Sequence, residues 1–146
     1  LMMKNLFIAT LLIAILSSCS TDDSARDNNP NLVDLNFGAV YNLTLPQYNQ
    51  LNFEGNSFQD YSVGISGINI FYIGNDQYLA FELSDPNHPV SDCSRLVVTG
   101  LTARCQCDDN NAYNLTNGQQ TEGGPGTYSL RMYRAELNGD ILTVSN

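Results

Sequence analysis

From residue 32 onward, apolar and polar residues alternate in short runs bounded by glycine, asparagine and proline. This pattern is typical of β-strands. Residues 41–45 and 51–54 each predict a half-buried strand, joined by a connection at residues 46–49. No stretch sustains the i, i+3, i+4, i+7 spacing of an amphipathic helix. The pattern therefore predicts an all-β domain.

Turn chemistry predicts two hairpins. Residues 67–73 are apolar on both faces, and Gly74-Asn75-Asp76 turns this central strand into a second one at residues 78–83. Strands at residues 128–137 and 141–144 flank Asn138-Gly139, the strongest short hairpin signal. The chain then contains about seven to nine short strands, which predicts a small antiparallel β-sandwich or barrel.

The first residues follow a different pattern. Lys4 precedes an apolar run over residues 6–16, and small residues follow up to Cys19. A permanent membrane-spanning helix needs about 20 apolar residues, so this run is too short. The layout predicts an export signal over residues 1–18. Leu16-Ser17-Ser18-Cys19 resembles the lipobox of bacterial lipoproteins, in which the cysteine is lipidated and becomes the first residue of the mature chain.

Residues 19–31 are rich in Asp, Asn and Ser and have no apolar periodicity, so we expect a flexible tether between the lipidated Cys19 and a domain over residues 32–146. The acidic run from Ser20 to Asp23 is similar to the tails that direct Bacteroidetes lipoproteins to the cell surface. We therefore expect an outer membrane lipoprotein, on the cell surface or on the periplasmic face.

The chain is acidic, with a formal net charge of −9, and removal of the export signal would take away its only lysine, Lys4. A chain without a basic patch releases no counterions from phosphates, which excludes nucleic acid as a partner. It is equally unsuited to an anionic membrane surface, so the lipid is expected to hold it at the membrane. Tyrosines that remain exposed would suit another envelope protein or a glycan.

Three cysteines follow Cys19: Cys93, Cys105 and Cys107. In an oxidising compartment, three cysteines predict one disulfide and one free thiol. A ring between Cys105 and Cys107 would be strained, so Cys93 should pair with one of these two. Closing this loop of about a dozen residues would contribute roughly 3 kcal/mol.

The order of elements after residue 80 resembles the Rieske iron–sulfur domain family. A strand at residues 78–83 leads into a first loop at 84–93, and a hairpin at 96–104 leads into the second loop, Cys105-Gln106-Cys107-Asp108. The features that follow are, in order, Tyr113-Asn114-Leu115, Gly118, Gly124-Pro125 and Asn138-Gly139-Asp140. The resemblance implies a Rieske-like β-fold with a loop-bearing end of the kind that binds a cluster.

In that family, each loop supplies a cysteine and a histidine to a [2Fe–2S] centre, in which two His replace two Cys on one iron. A second cysteine from each loop forms a bracing disulfide. The resemblance implies that Cys93 and Cys107 form this brace. It also matches Cys105 to a ligand cysteine and places Asp108 where the ligand histidine of the second loop would stand.

The first loop carries Asp85-Pro86-Asn87-His88 and no cysteine before Cys93, and either Asn87 or His88 matches the ligand histidine. The residues at the vestigial cluster-site positions are Asp85, Asn87, His88, Cys105 and Asp108. They offer one thiolate and at most one imidazole, and carboxylates are poor ligands for sulfide-bridged iron. We therefore expect no cofactor and no catalytic residue, and a binding or structural role in the cell envelope. The alternative is an electron-transfer protein that retains a [2Fe–2S] or other iron centre.

Three other chemistries are open to the same residues. His88, Cys105 and Asp108 could hold zinc. The oxygen atoms of residues 108–111 could bind calcium. Cys105 could act as a nucleophile with His88 as its base. Each hypothesis requires its residues to converge in the folded domain.

Overall fold

The computed structural model describes residues 29–146. The predicted export signal, the predicted lipidation site Cys19 and the tether up to residue 28 lie outside the described residues. No helix within residues 29–146 is long and apolar enough to cross a membrane. The elements are β1 (Gly38–Asn42), a 3₁₀ helix (Pro46–Asn52), β2 (Ser57–Asp60), β3 (Ile68–Gly74), β4 (Gln77–Glu82), β5 (Val97–Thr99), β6 (Thr102–Arg104), β7 (Ala112–Asn114), β8 (Gln120–Glu122), β9 (Met132–Asn138) and β10 (Ile141–Ser145).

Six strands form one antiparallel sheet in the order β1-β10-β9-β4-β3-β2. The β3–β4 hairpin turns at Asn75 and Asp76, whose φ angles are 52° and 57°. Positive φ at both central residues gives the turn a twist that matches the flanking strands. The β9–β10 hairpin turns at Gly139 and Asp140, directly after Asn138 at the end of β9. Both hairpins predicted from the sequence are thereby confirmed, the second with its turn one residue later than the Asn138-Gly139 pair.

Four shorter strands form a second antiparallel sheet in the order β5-β6-β7-β8. Strand β4 contributes to both hydrophobic cores, because its successive residues Ala80 and Phe81 point to opposite faces. The first core contains Tyr41, Leu43, Leu51, Ile68, Ile70, Ala80, Tyr133, Leu142 and Val144. The second core contains Phe81, Leu83, Leu96, Ala103, Cys105, Cys107, Tyr113, Leu115 and Leu130.

The buried carboxyl group of Glu82 joins the end of β4 to its surroundings. It accepts hydrogen bonds from the backbone N–H groups of Ile65 (2.8 Å), Ser66 (2.9 Å) and Ser84 (2.9 Å). The hydroxyl of Tyr133 donates a fourth at 2.7 Å. These bonds satisfy a polar group that would otherwise be costly to bury, and they fix the loop before β3 against β4.

The all-β prediction is confirmed, while three elements differ from the sequence predictions. The strand predicted at residues 41–45 is β1, which ends at Asn42, so Leu45 lies outside it and is 41% exposed. The strand predicted at residues 51–54 is wrong: the 3₁₀ helix, with Pro46 in its first turn, continues to Asn52, and a turn follows it. Only Leu51 of this helix is buried, whereas Phe53 is 57% exposed. Strand β9 begins at Met132 rather than at residue 128, because the backbone N–H and C=O of Tyr128 bond to the side chain of Asn87.

Candidate functional site

Three loops meet at one end of the second sheet. The first loop (residues 83–96) follows β4, the second loop (residues 105–111) follows β6, and the third loop (residues 123–131) follows β8. The first loop carries both Asp85 and Cys93, and contacts to the other two loops bring chemically active side chains together.

A disulfide between Cys93 and Cys107 joins the first loop to the second, with an S–S distance of 2.04 Å. The backbone N–H of Gln106 donates to the carbonyl of Cys93 at 3.0 Å beside it. The prediction of a disulfide is confirmed. The cysteine spacing left Cys105 and Cys107 open as partners of Cys93, and the structure shows Cys107. Cys105 remains a free thiol and is buried.

Asp85 lies at the centre of a buried polar network. It is 0% exposed, and its Oδ1 accepts hydrogen bonds from the hydroxyl of Tyr113 and from the backbone N–H of Asn87 (2.9 Å). Its Oδ2 accepts a third from Asn111 Nδ2 at 3.0 Å. Burial, and then the hydrogen bond to Asp85, raise the pKa of Tyr113. Tyr113 is therefore a donor to Asp85 throughout the neutral range.

The side chain of Asn87 fastens the third loop to the first. Its Nδ2 donates to the carbonyl of Tyr128 (2.7 Å) and to the hydroxyl oxygen of Tyr113 (2.9 Å). Its Oδ1 accepts from the backbone N–H groups of Thr127 and Tyr128, each at 2.9 Å. Both ends of the amide are thus engaged by loop backbone and by the Asp85 network.

Cys105 faces the same network. One ligand atom each from Asp85, Cys105 and Asp109 lie within 4.8 Å of one another. The thiol is 1% exposed; burial raises its pKa to about 12, although the N–H of Cys107 opposes that shift by donating to the sulfur at 3.5 Å. A thiol with this pKa is protonated at neutral pH and is a poor nucleophile.

His88, the only histidine of the chain, lies with the disulfide instead. Its Nδ1 is 2.7 Å from the carbonyl oxygen of Pro89 and 3.9 Å from the sulfur of Cys107. One ligand atom each from His88, Cys93 and Cys107 lie within 4.8 Å of one another. A cavity of about 310 Å³ opens beside them, lined by His88, Cys93, Gln106, Cys107, Asp108 and Asp109.

The candidate residues from the sequence therefore divide into two groups. Asp85 and Cys105 belong to the buried group, and Asn87 is tied to it through Tyr113. His88 belongs to the disulfide group, while Asp108 is exposed at the rim of the cavity. Within the described residues, no group of converging ligand atoms contains the His88, Cys105 and Asp108 set expected for zinc.

The contacts also do not support Cys105 as a nucleophile with His88 as its base, or a calcium site at residues 108–111. The imidazole of His88 contacts the sulfur of Cys107, and the raised pKa of Cys105 is the opposite of what a nucleophile requires. In the second loop, the amide nitrogen of Asn110 donates to the backbone carbonyl of Asp108, and that of Asn111 donates to Asp109 Oδ2, so these two oxygens serve the turn itself.

Sequence reasoning missed the polar residues that complete the buried group. Tyr113 and Asn111 belong to β7 and its approach, and Gln120 in β8 donates to Asn111 Oδ1 at 3.1 Å. All three lie 26 or more residues from Asp85 in the sequence, and Gln120 is joined to Asp85 through Asn111. A short motif carries no signal for partners at this separation.

Several solved structures are similar to parts of this chain. The ferredoxin of carbazole 1,9a-dioxygenase from Nocardioides aromaticivorans IC177 is 15% identical, with 63% of this chain and 86% of that chain covered and a TM-score of 0.42. A chain from the complex of reduced oxygenase and oxidised ferredoxin in carbazole 1,9a-dioxygenase is 22% identical, with 63% and 82% covered and a TM-score of 0.43. A structure described as an NADH-dependent nitrite reductase small subunit from Mycobacterium tuberculosis is 16% identical, with 77% and 97% covered and a TM-score of 0.44. No protein family profile and no curated protein sequence matches this chain.

Proposed function

We propose that this chain is a membrane-anchored lipoprotein whose Rieske-like β-domain binds no [2Fe–2S] cluster and serves as a non-catalytic binding or structural module of the cell envelope. The anchor is the lipidated Cys19, and the location is the outer membrane, on the cell surface or the periplasmic face. The anchor and the location rest on the sequence of residues 16–23. The lack of a cluster rests on the chemistry of the loop-bearing end.

The donor set does not fit a Rieske cluster. Such a centre takes two thiolates and two imidazoles. At the corresponding positions the chain carries the carboxyl groups of Asp85 and Asp108, the amide of Asn87 and the single thiol of Cys105. Hard oxygen ligands suit sulfide-bridged iron poorly. The one imidazole, His88, has its ligand atom grouped with the disulfide sulfurs rather than with Cys105.

The observation that carries the proposal is the engagement of Asp85 and Asn87 by their own protein. The two side chains together take part in seven hydrogen bonds of 3.0 Å or less with backbone groups, Tyr113 and Asn111. A residue that is satisfied in this way contributes to the stability of the loops, and recruiting it to a metal would break bonds that buried polar groups need.

Anaerobic purification of the full chain from iron-replete cells tests the proposal. The expected protein is colourless, with far less than one iron per chain by atomic absorption. A [2Fe–2S] ferredoxin purified alongside is the control for cluster loss during handling. A reddish-brown protein with about two irons per chain would establish the electron-transfer alternative instead.

The anchor is tested separately. Intact protein from cells grown with a labelled fatty acid should carry the label, and a Cys19→Ala variant should not. A Cys105→Ala variant controls for loss of any other cysteine. If the Cys19→Ala variant still carries the label and still sediments with membranes, the lipoprotein assignment is wrong, whatever the outcome of the iron measurement.

A further inference from the structure

The disulfide lies at a solvent-facing cavity rather than inside the domain. Cys93 is exposed, whereas Cys107 is only 8% exposed, and His88 lies against the sulfur of Cys107. We infer that Cys93–Cys107 is a thiol–disulfide exchange site, open at Cys93 to neutral or cationic thiols, with Cys107 as the leaving sulfur beside His88. This inference goes beyond the proposed function and is independent of whether the domain binds iron.

The difference in exposure sets the direction of attack. An incoming thiolate must approach one sulfur along the S–S axis, and the exposed residue, Cys93, is the accessible one. The hydroxyl of Ser91 lies 3.4 Å from the sulfur of Cys93 and 4.0 Å from that of Cys107. A hydroxyl in this place can donate to either sulfur as charge moves between them.

His88 is placed to stabilise the departing sulfur. A carbonyl oxygen only accepts hydrogen bonds, so the 2.7 Å contact with Pro89 means that Nδ1 carries a proton. The same nitrogen lies 3.9 Å from the sulfur of Cys107. A disulfide sulfur is a weak acceptor and a thiolate is a strong one, so the contact strengthens as the bond breaks. An interaction that grows toward the transition state accelerates the step.

The reductant must come from outside the domain. Cys105 is the remaining cysteine within the described residues, and its thiol is buried. The pKa of this thiol, raised to about 12, leaves almost no thiolate to attack the neighbouring disulfide. The chain therefore lacks a resolving thiol of its own at this end.

The exchange balances with two external thiols. The first thiolate bonds to the Cys93 sulfur, the S–S bond to Cys107 breaks, and its electron pair remains on Cys107 as a thiolate that then takes up a proton. The second thiolate attacks the mixed disulfide, releases Cys93 as a thiol and leaves as the oxidised disulfide of the reductant. Two electrons pass to the protein, and two thiols are oxidised.

The rim of the cavity selects among thiols by charge. Apart from His88, the ionisable side chains that line it are the acids Asp108 and Asp109, and Asp92 directly precedes Cys93. Like charges repel an anionic thiol, and salt screens this repulsion over about 10 Å at 0.1 M. A thiol that carries an amine should therefore react faster than one that carries a carboxylate.

Reduction kinetics of the full chain in detergent test the inference. The probes are cysteamine, 2-mercaptoethanol and 3-mercaptopropionate, compared at equal thiolate concentration, with N-ethylmaleimide trapping and mass spectrometry as the readout. We expect two added maleimide groups per chain without denaturant, with cysteamine fastest and 3-mercaptopropionate slowest, a difference that shrinks at 1 M salt. In peptides trapped with acid, the mixed disulfide should lie on Cys93.

The role of His88 is tested with three variants. His88→Ala should slow reduction about tenfold, because Cys107 leaves more slowly as its thiolate loses stabilisation. Val90→Ala, an exposed side chain removed from the same loop, should stay within twofold of the natural protein. His88→Gln keeps a side-chain N–H donor and should recover part of the rate. The inference is overturned if His88→Ala is reduced as fast as the natural protein, or if His88→Gln loses as much rate as His88→Ala. It is also overturned if the mixed disulfide lies on Cys107, or if the disulfide resists all three thiols without denaturant.

Discussion

Replacement of Asn87 by alanine should loosen the loop-bearing end of the domain. The side chain makes four hydrogen bonds of 2.9 Å or less, three of them to the backbone of Thr127 and Tyr128 and one to Tyr113. The alanine variant removes the Asn87 side chain as a hydrogen-bond partner of two N–H groups and one carbonyl of the third loop. It also removes one of the contacts that hold Tyr113 in place.

The magnitude follows from the count and from the surroundings. A hydrogen bond contributes about 1 kcal/mol net, and an unsatisfied buried group costs about 1–3 kcal/mol. Thr127 is exposed, so water replaces part of what is lost there, while Tyr113 is fully buried. We therefore expect Asn87→Ala to lower the free energy of unfolding by about 2–3 kcal/mol.

Urea unfolding followed by far-UV circular dichroism measures this loss, with Asn49→Ala as the matched control. Asn49 is exposed on the 3₁₀ helix, and its replacement should change stability by less than about 0.5 kcal/mol. Asn87→Asp sharpens the test, because a carboxylate oxygen there faces the carbonyl of Tyr128 and the hydroxyl oxygen of Tyr113, whose proton is donated to Asp85. It should cost more than alanine. If aspartate is tolerated as well as asparagine, Asn87 serves only as a turn former, and the fastening role is refuted.

Three further predictions concern Glu82, Cys105 and Gly126. Glu82→Gln replaces one oxygen of an acceptor of four hydrogen bonds by an N–H₂ group that faces other donors. It should lower the free energy of unfolding in urea by about 2–4 kcal/mol. The exposed control Glu136→Gln should lower it by less than about 1 kcal/mol. The pKa of Cys105 rises from an ordinary value of 9.0 to about 12 on folding. The protonated thiol therefore stabilises the folded state fully below pH 9, and this contribution declines between pH 9 and 12. In that window the free energy of unfolding of the Cys105→Ala variant should fall less steeply with pH than that of the natural protein, by up to about 1.4 kcal/mol per pH unit. A β-carbon at Gly126 would overlap the side chain of Gln120 and crowd that of Asn87, so Gly126→Ala should destabilise by about 1–3 kcal/mol in the same assay, and a neutral outcome would show that the third loop can shift freely.

The sequence predicted those parts of the fold that depend on local chemistry. Asn138-Gly139 marked the β9–β10 hairpin, whose turn residues are Gly139 and Asp140 and whose Gly139 has a positive φ of 60°. The apolar residues of 67–83 and the turn residues between them together predicted the β3–β4 hairpin. The strand at residues 51–54 failed because alternation over four residues cannot be distinguished from a short helix that buries Leu51 alone.

The site was predictable only at the level of which residues are present. The sequence named Asp85, Asn87, Cys105 and the disulfide cysteines, but the partner of Asp85 is Tyr113, 28 residues away on β7. Such a contact depends on strand register and loop packing, which no motif encodes. The position of His88 could not be predicted for the same reason: it directly follows Asn87, yet the two side chains meet different loops.

These contacts also bear on whether the disulfide can open while the domain stays folded. The brace closes a loop of 14 residues and contributes about 3 kcal/mol in the chain-entropy model. Hydrogen bonds hold the same end of the domain independently of the disulfide. They join Asp85 to Tyr113, Asn87 to the third loop, and the N–H of Gln106 to the carbonyl of Cys93. Loss of about 3 kcal/mol is tolerable for a domain with an ordinary stability of about 5–15 kcal/mol. Because the hydrogen bonds keep the loops in register, reduction should free the two sulfurs without unfolding the strands that carry them.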